Sequence, residues 1–251
     1  MMKKNRNHPY ILATDLDGTF LGGAKAARAQ LYQAIEKQKE AITLIFVTGR
    51  DLDFIREIVE QNEVPRPHYI IGDIGTTVVD GQTFSPFAPI EQEIAEKWQN
   101  AENQVRQILD DVTGLSPQPG SFRYRMSYYY DPAVFDHSVL AEIEALGLDW
   151  LMSADLYLDV LPKGVAKGST LLRFLEHLRL SREQVVCAGD TLNDWSLFET
   201  GLPGIVVGNA EPPLLQRTSS LPHLYHSKGH GAEGILEGLA YFGYGAWLND
   251  E

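Results

Sequence analysis

Short apolar runs that break off in polar residues or glycine recur along the chain, and they decide how it is read. Tyr10 to Asp15 (YILATD), Ala41 to Thr48 (AITLIFVT) and His68 to Asp73 (HYIIGD) each suit a buried strand opening into a loop. Between them, Ala24 to Lys39 is rich in Ala, Gln, Glu and Lys, with Leu31 and Ile35 four apart, and predicts a helix. Leu52, Ile55, Ile58 and Val59 form the stripe of a second helix, which Pro65 and Pro67 stop. The alternation of strand and helix predicts a parallel α/β sheet with right-handed crossovers.

The pattern then changes. Thr76 to Phe84 (TTVVDGQTF) carries Asp-Gly between apolar stretches and predicts a hairpin. A long helix is expected from Ile90 to Val112, with Ile94, Trp98, Val105, Ile108 and Leu109 on its core stripe. Arg123 to Asp131 predicts an aromatic-rich strand, Ala133 to Leu146 a helix, and Asp149 to Pro162 further strand. From Lys167 the first pattern returns. Ser169 to Leu178 predicts a helix, Gln184 to Asp190 (QVVCAGD) a buried strand, Trp195 to Glu199 a short helix, Gly204 to Ala210 (GIVVGNA) a strand and Ala232 to Tyr241 a closing helix. The expected organisation is one α/β core, residues 1–82 and 163–251, interrupted by an insertion of about 80 residues at 83–162, a size that can fold as its own layer.

Composition supports a globular chain. Of its 251 residues 44% are hydrophobic and 22% charged, enough to bury a core. The formal charge of −13 argues against a nucleic-acid partner but says little against a small phosphate ester held by local cations. The single cysteine, Cys187, excludes an intrachain disulfide and a cysteine-based zinc site, and its apolar surroundings mark it as a packing residue. Residues Met1 to Pro9 are basic, but the apolar run that follows is too short for a signal peptide or membrane span. A cytoplasmic protein with no membrane partner is expected.

Ligand sites of open α/β sheets form at the carboxyl ends of the strands. Four such ends carry chemistry here: Asp15 with Asp17, Thr48 with Arg50, Asp73, and Asp190 with Asp194, while Lys167 begins the helix after the insertion. Taken alone, each has a structural reading, since Asp-Gly pairs form turns and an Asp after a strand caps the next helix. Together, carboxylates gathered at one sheet end would repel unless a cation lies among them, and their oxygens suit Mg²⁺. Asp15 and Asp17, two apart on extended backbone, can face the same way. One can attack phosphorus while the other protonates the leaving oxygen. Lys167 and Thr48 can hold phosphoryl oxygens.

DLDGT (Asp15 to Thr19), TGR (Thr48 to Arg50), Lys167-Gly168 and GDTLND (Gly189 to Asp194) resemble the four ordered motifs of the haloacid dehalogenase superfamily phosphatases. The resemblance implies a Rossmann-like core with an inserted α+β cap that reads the substrate. It implies Asp15 as nucleophile and Asp17 as general acid/base, with phosphate held by Thr48, Gly49 and Lys167. It also implies Mg²⁺ ligation by Asp15, Asp190 and the Asp17 backbone carbonyl, with Asp194 in support. MSYYYDP (Met126 to Pro132), LDVLPKGVAKG (Leu158 to Gly168), GDTLNDWSLFET (Gly189 to Thr200) and VVGNAEPPLL (Val206 to Leu215) are most similar to the sucrose-phosphate phosphatase branch. Relatives of that branch act on mannosylfructose phosphate, mannosylglycerate phosphate and glucosylglycerate phosphate. SADLYLD (Ser153 to Asp159) lacks the basic residue expected there, which leaves the sugar open.

The expected reaction is hydrolysis of a sugar phosphate monoester, sucrose 6-phosphate first, through an aspartyl-phosphate. A phosphosugar mutase is the alternative of another class. Candidate substrate contacts are Arg50, Gly75, Thr76, Arg125, Tyr128, Asp159, Lys163, Asn193 and Asn209. The Tyr128 to Tyr130 run serves equally as ordinary strand packing, and Asn209 as a turn former. The chain is expected to act as a monomer, and a loose association with a sugar-phosphate synthase is conceivable.

Overall fold

β1 (Tyr10–Thr14) is buried along its whole length, as its uninterrupted apolar sequence requires, and the rest of the core is laid on either side of it. The computed structural model describes residues 10–120 and 122–244; the basic stretch at 1–9 and residues 245–251 lie outside the described residues. β2 (Ile42–Val47) and β3 (Tyr69–Gly72) extend the sheet in parallel on one side. β4 (Thr77–Asp80) turns back antiparallel to β3 and forms the edge. The predicted hairpin therefore lies differently from expectation. β4 pairs with β3 across a tight turn at Asp73–Gly75, and the Asp80 turn adds only the single bridge Val79 to Pro86. On the other side of β1 lie β9 (Val185–Gly189), β10 (Gly204–Val206) and β11 (Leu224–His226), all parallel, completing a seven-stranded sheet ordered β11-β10-β9-β1-β2-β3-β4.

Helices cover both faces. α1 (Lys25–Lys37), α2 (Leu52–Glu60) and the closing helix α9 (Ala232–Leu239) pack Leu31, Ile35, Ile55, Ile58 and Ile235 onto one face. α6 (Lys167–His177) packs Leu171, Phe174 and Leu175 onto the other, where α3 (Ala88–Trp98) adds Ile90 and Ile94. α3 is followed by α4 (Glu102–Leu109), so the expected long helix is two helices. The chain breaks at Gln99 and Asn100, whose φ angles of 51° and 55° lie in the left-handed region. The break lets Trp98, Ala101, Val105 and Leu109 all face one cluster.

That cluster belongs to a second, antiparallel sheet ordered β5-β6-β8-β7, built from β5 (Leu115–Pro117), β6 (Met126–Tyr130), β7 (Leu148–Ser153) and β8 (Tyr157–Pro162). The helix expected over 133–146 shortens to α5 (Leu140–Ala145) with one preceding tight turn. Asp131 and Asp136 take the amides of Ala133 and Ser138 on their own carboxylates and hold the earlier residues in turns. α7 (Trp195–Phe198) and α8 (Pro212–Thr218) flank the β9–β10 end. No helix among the described residues is long and apolar enough to cross a membrane.

Cys187 lies mid-strand on β9 and is fully buried, and that burial pushes its thiol up to about 12. The native protein should leave 5,5′-dithiobis(2-nitrobenzoate) unreacted at pH 8 and consume one equivalent once denatured in guanidinium. Rapid reaction in the folded state would contradict the closed β9–β1 pairing.

Candidate active site

β9, β1, β2 and β3 lie side by side and run parallel, so the residues that follow them reach one edge of the sheet together: Asp190, Asp15, Thr48 and Asp73. β1 sits where the chain order reverses, between β2 and β9, and such a switch point opens a crevice for ligands.

Asp15 is buried at the floor of that crevice. After it the chain winds tightly through Leu16–Phe20, with Gly18 at φ 74° against Asp190. A Cβ on Gly18 would sit 2.1 Å from Asp190 Oδ2, so only glycine permits this approach. Lys167, the first residue of α6, is wholly buried, and its Nζ donates to Asp15 Oδ1 at 2.7 Å, Asp194 Oδ1 at 2.6 Å and Asn193 Oδ1 at 2.6 Å. Asp194 Oδ2 accepts from the amides of Asp190 (2.9 Å) and Thr191 (3.1 Å) and so fixes the loop after β9. Asp190 accepts from the Thr19 hydroxyl at 2.7 Å. Asn209 reaches the site from behind, donating to Gly18 O at 3.0 Å and to Asp190 Oδ2 at 3.4 Å while its Oδ1 accepts from Gly231 N.

Asp15, Asp190 and Asp194 each present an oxygen within 4.8 Å of the others. Burial pushes the Asp15 carboxyl well above the usual carboxylate range, with Lys167 opposing and Asp194 and Asp190 adding to the rise. Asp190 is pushed up to about 7, by burial first and then by Asp194. Burial disfavours the Lys167 ammonium, but Asp15 and Asp194 outweigh it and hold its pKa above the ordinary value. One ammonium therefore faces three buried carboxylates, and hard oxygen donors with an excess of negative charge fit a divalent cation such as Mg²⁺. Asp194 already spends both oxygens on Lys167 and on backbone amides. Asp15 and Asp190 are less committed: each has one oxygen in a short bond, Asp15 Oδ1 to Lys167 and Asp190 Oδ1 to Thr19, and Asn209 reaches Asp190 Oδ2 only at 3.4 Å. Asp73 does not join the cluster. Its Oδ1 accepts from Arg125 at 3.2 Å and its Oδ2 from Thr77 at 2.8 Å, so it stands apart from the other strand-end carboxylates.

Asp17 points into the crevice mouth, where Arg50 grips both its oxygens at 2.7 and 2.8 Å. Thr48 is buried beside it, its hydroxyl accepting from Arg50 N at 3.2 Å.

The antiparallel sheet roofs the crevice and encloses a cleft of about 440 Å³ with the sheet end. Asp15, Asp17, Gly49, Arg50 and Asn193 line its lower side; Arg125, Tyr129, Tyr157, Asp159 and Ser153 line its upper side. Strand alternation sorts these residues. Met126, Tyr128 and Tyr130 face the helices, whereas Ser127, opposite Asp159, and Tyr129, opposite Tyr157, face the cleft. Tyr128 is fully buried with its hydroxyl on Asp110 at 2.8 Å, so the structure moves it from the substrate face to the packing face. Lys163 also lies off the cleft, exposed and paired with Asp149 at 2.6 Å. Thr76 is buried and bonds the Asp73 carbonyl, and Gly75 packs against Ala166, so both support the site without lining it. Gln118, Ser153 and Tyr157 were not anticipated, and Tyr129 was weighed only as part of the Tyr128 to Tyr130 run. The period-2 step from Arg125 through Ser127 would have found Tyr129.

The sucrose-6F-phosphate phosphohydrolase family model matches residues 8–243. The chain is 40% identical over 235 residues to glucosylglycerol-phosphate synthase of Pseudomonas anguilliseptica, which covers 93% of this chain but only 31% of that protein. It is 30% identical over 244 residues to mannosylfructose-phosphate phosphatase of Agrobacterium fabrum, covering 93% and 96% of the two chains. The structure of Synechocystis sucrose-phosphatase in complex with sucrose and phosphate superposes with a TM-score of 0.84 at 26% identity, covering 94% of this chain and 98% of that one. The match of the family model over nearly the whole chain, the sequence likeness and the superposition agree, and the chain belongs to the sucrose-6F-phosphate phosphohydrolase family of haloacid dehalogenase-like phosphatases.

Proposed function

We propose that the chain hydrolyses the phosphate monoester of a small neutral glycoside, with Asp15 as nucleophile and Asp17 as general acid and base. The observation that carries this reading is the Lys167 ammonium bound between Asp15 and Asp194 at the floor of a cleft whose roof is tyrosine, serine and aspartate. An Asp15 carboxylate oxygen attacks phosphorus and the bond to the sugar oxygen breaks, that oxygen taking a proton from Asp17. Asp17 then takes a proton from water, whose oxygen attacks the aspartyl-phosphate and releases Asp15 and inorganic phosphate. Lys167, Thr48 and the Gly49 backbone would hold the phosphoryl oxygens. Asp15, Asp190 and the Asp17 carbonyl would hold Mg²⁺, with Asp194 behind them. The ion supplies the counter-charge that lets an anionic nucleophile approach an anionic ester. The Asp17–Arg50 pair has both side chains about half exposed, at 53% and 47%. Such a pair is worth about 1 kcal/mol or less, so an arriving phosphate can take Arg50 and release Asp17 to the leaving group.

Residues 83–162 serve in this reading as the specificity cap on a core of 1–82 and 163–251. Among the described residues, Arg125 is the one cation on the roof side of the cleft, and Asp73 and Asp159 already share it. That leaves little to bind a second phosphate, as a phosphosugar mutase would need. It also disfavours a carboxylate-bearing glycosylglycerate. A neutral sugar, whose hydroxyls donate to Asp159 and whose ring face stacks on tyrosine, fits better. We rank glucosylglycerol phosphate first, on the 40% identity to the synthase named for that compound, ahead of mannosylfructose phosphate and sucrose 6-phosphate.

Two measurements test the reading. Mg²⁺ should raise the melting temperature of the chelator-treated wild type; Asp190→Asn should lose the shift, and Asp73→Asn, outside the cluster, should keep it. An equal shift in Asp190→Asn would refute the ligand assignment. In a phosphate-release screen over glucosylglycerol phosphate, mannosylfructose phosphate and sucrose 6-phosphate, at least one should be turned over and Asp15→Asn should lose at least a thousandfold in kcat while remaining folded. Near-normal turnover by that variant would remove Asp15 as nucleophile.

A further inference from the structure

Three consecutive residues after β3 adopt positive φ: Asp73 at 51°, Ile74 at 59° and Gly75 at 100°. For glycine this is ordinary. For a β-branched isoleucine it is an outlier that persists only where the surroundings over-determine it. Those surroundings are the catalytic groups. Asp73 N donates to Arg50 O and Ile74 N to Thr48 O, each at 3.0 Å, so the turn is stitched to the loop that carries Thr48 and Gly49. On its other flank a Cβ on Gly75 would lie 2.6 Å from the Ala166 carbonyl carbon, and the Thr170 hydroxyl of α6 donates to Gly75 O at 2.8 Å. The turn thus rests against both the phosphate loop and the start of the helix that delivers Lys167.

One side chain joins this turn to the roof. Arg125 is buried, with 5% of the residue exposed. Its Nη1 donates to Ser127 and Asp159 within the antiparallel sheet, each at 3.0 Å, and its Nη2 to Gly49 O at 3.1 Å and Asp73 Oδ1 at 3.2 Å on the core. Its Nε is buried and has no hydrogen-bond partner among the described residues. Within the antiparallel sheet its contacts are with the sugar-side residues; on the core they are with the phosphate side.

We propose that Asp73 is a positioning residue. Through Arg125 it locks the roof onto the Asp73–Gly75 turn, and a sugar seated against that roof is thereby held in register with the Thr48–Gly49 loop and Lys167 at the phosphate. Asp73 itself touches neither substrate nor metal. The inference rests on the phosphatase reading above and adds to it the route by which the sugar raises the rate at the phosphate. A substrate whose leaving group does not span the cleft gains nothing from the lock, which is how binding energy distant from the reacting bond comes to appear in kcat.

The test is Asp73→Asn, which keeps shape and the Thr77 contact but removes the charge that Arg125 meets. With the sugar phosphate that the wild type turns over best, kcat should fall at least tenfold and KM change less than threefold, while p-nitrophenyl phosphate turnover stays within threefold of wild type. A parallel fall on both substrates, or no change on the sugar phosphate, overturns the proposal. A cycle with Arg125→Gln adds a second check: the double variant should lose no more sugar-phosphate turnover than Arg125→Gln alone, and additive losses overturn the pairing. A wild type inactive on every phosphate ester tried would overturn the phosphatase reading and this inference together. Activity on the sugar phosphate with an indifferent Asp73→Asn would sink the inference alone.

Discussion

The buried ammonium of Lys167 is the interaction on which the rest of the site depends. A lone charge at zero exposure is prohibitively costly, and here it is tolerated because Asp15, Asp194 and Asn193 surround it at 2.6–2.7 Å. Those partners come from the end of β1 and the loop after β9, while Lys167 comes from the start of α6. Satisfying one nitrogen therefore fixes three segments far apart in sequence. Asp194, held in place by that nitrogen, takes the amides of Asp190 and Thr191 on its other oxygen and so aims Asp190 at Asp15. Gly18 then allows the loop after Asp15 to close over Asp190, which no other residue would permit.

The parallel order of the four central strands makes this convergence possible. Because β9, β1, β2 and β3 are neighbours, each loop at their carboxyl ends needs only to be short. The segment that carries the antiparallel sheet leaves after β4, at the antiparallel edge beside β3, and returns directly into α6. A roof attached there overhangs the sheet end without disturbing any strand that carries catalytic chemistry. Its own core, around Trp98, Val105, Tyr128 and Leu158, is a cluster separate from those of the large sheet, so its cleft face can vary while the floor stays as it is.

Much of the floor was legible in the sequence because it is encoded locally: an apolar run followed by Asp, Thr-Gly-Arg or Gly-Asp states both the strand and the residue at its end. The roof was less legible, for physical reasons that differ by residue. Tyr128 and Tyr129 are chemically identical and adjacent, and only the register against β8, which puts Tyr129 opposite Tyr157, says which one meets the cleft. Lys163 sits in an apparently motif-like stretch, yet Asp149, its neighbour on β7, captures it in the folded state. β5 and β11 are three residues each, too short for any period to show, and the Gln99–Asn100 break obeys the packing of Trp98 and Ala101 rather than any helix-breaking residue. Asp73 read as one more carboxylate at a strand end. Its partner Arg125 is 52 positions away, and no local pattern could have separated it from the cluster.

Charge pairing governs how an anionic ester would meet this site. Lys167 is committed to Asp15 and Asp194, Arg50 to Asp17, and Arg125 to Asp73 and Asp159. Every cation at the cleft is matched or outnumbered by carboxylates, so a dianionic ester entering this arrangement meets net repulsion. Two of the three cations are buried and cannot leave their partners cheaply. Arg50, half exposed, can. In the proposed chemistry a bound metal would supply positive charge, and Arg50 would leave Asp17 as substrate arrives. Both would act on the Asp15–Asp17 segment, where the proposed nucleophile and proposed proton donor lie two residues apart.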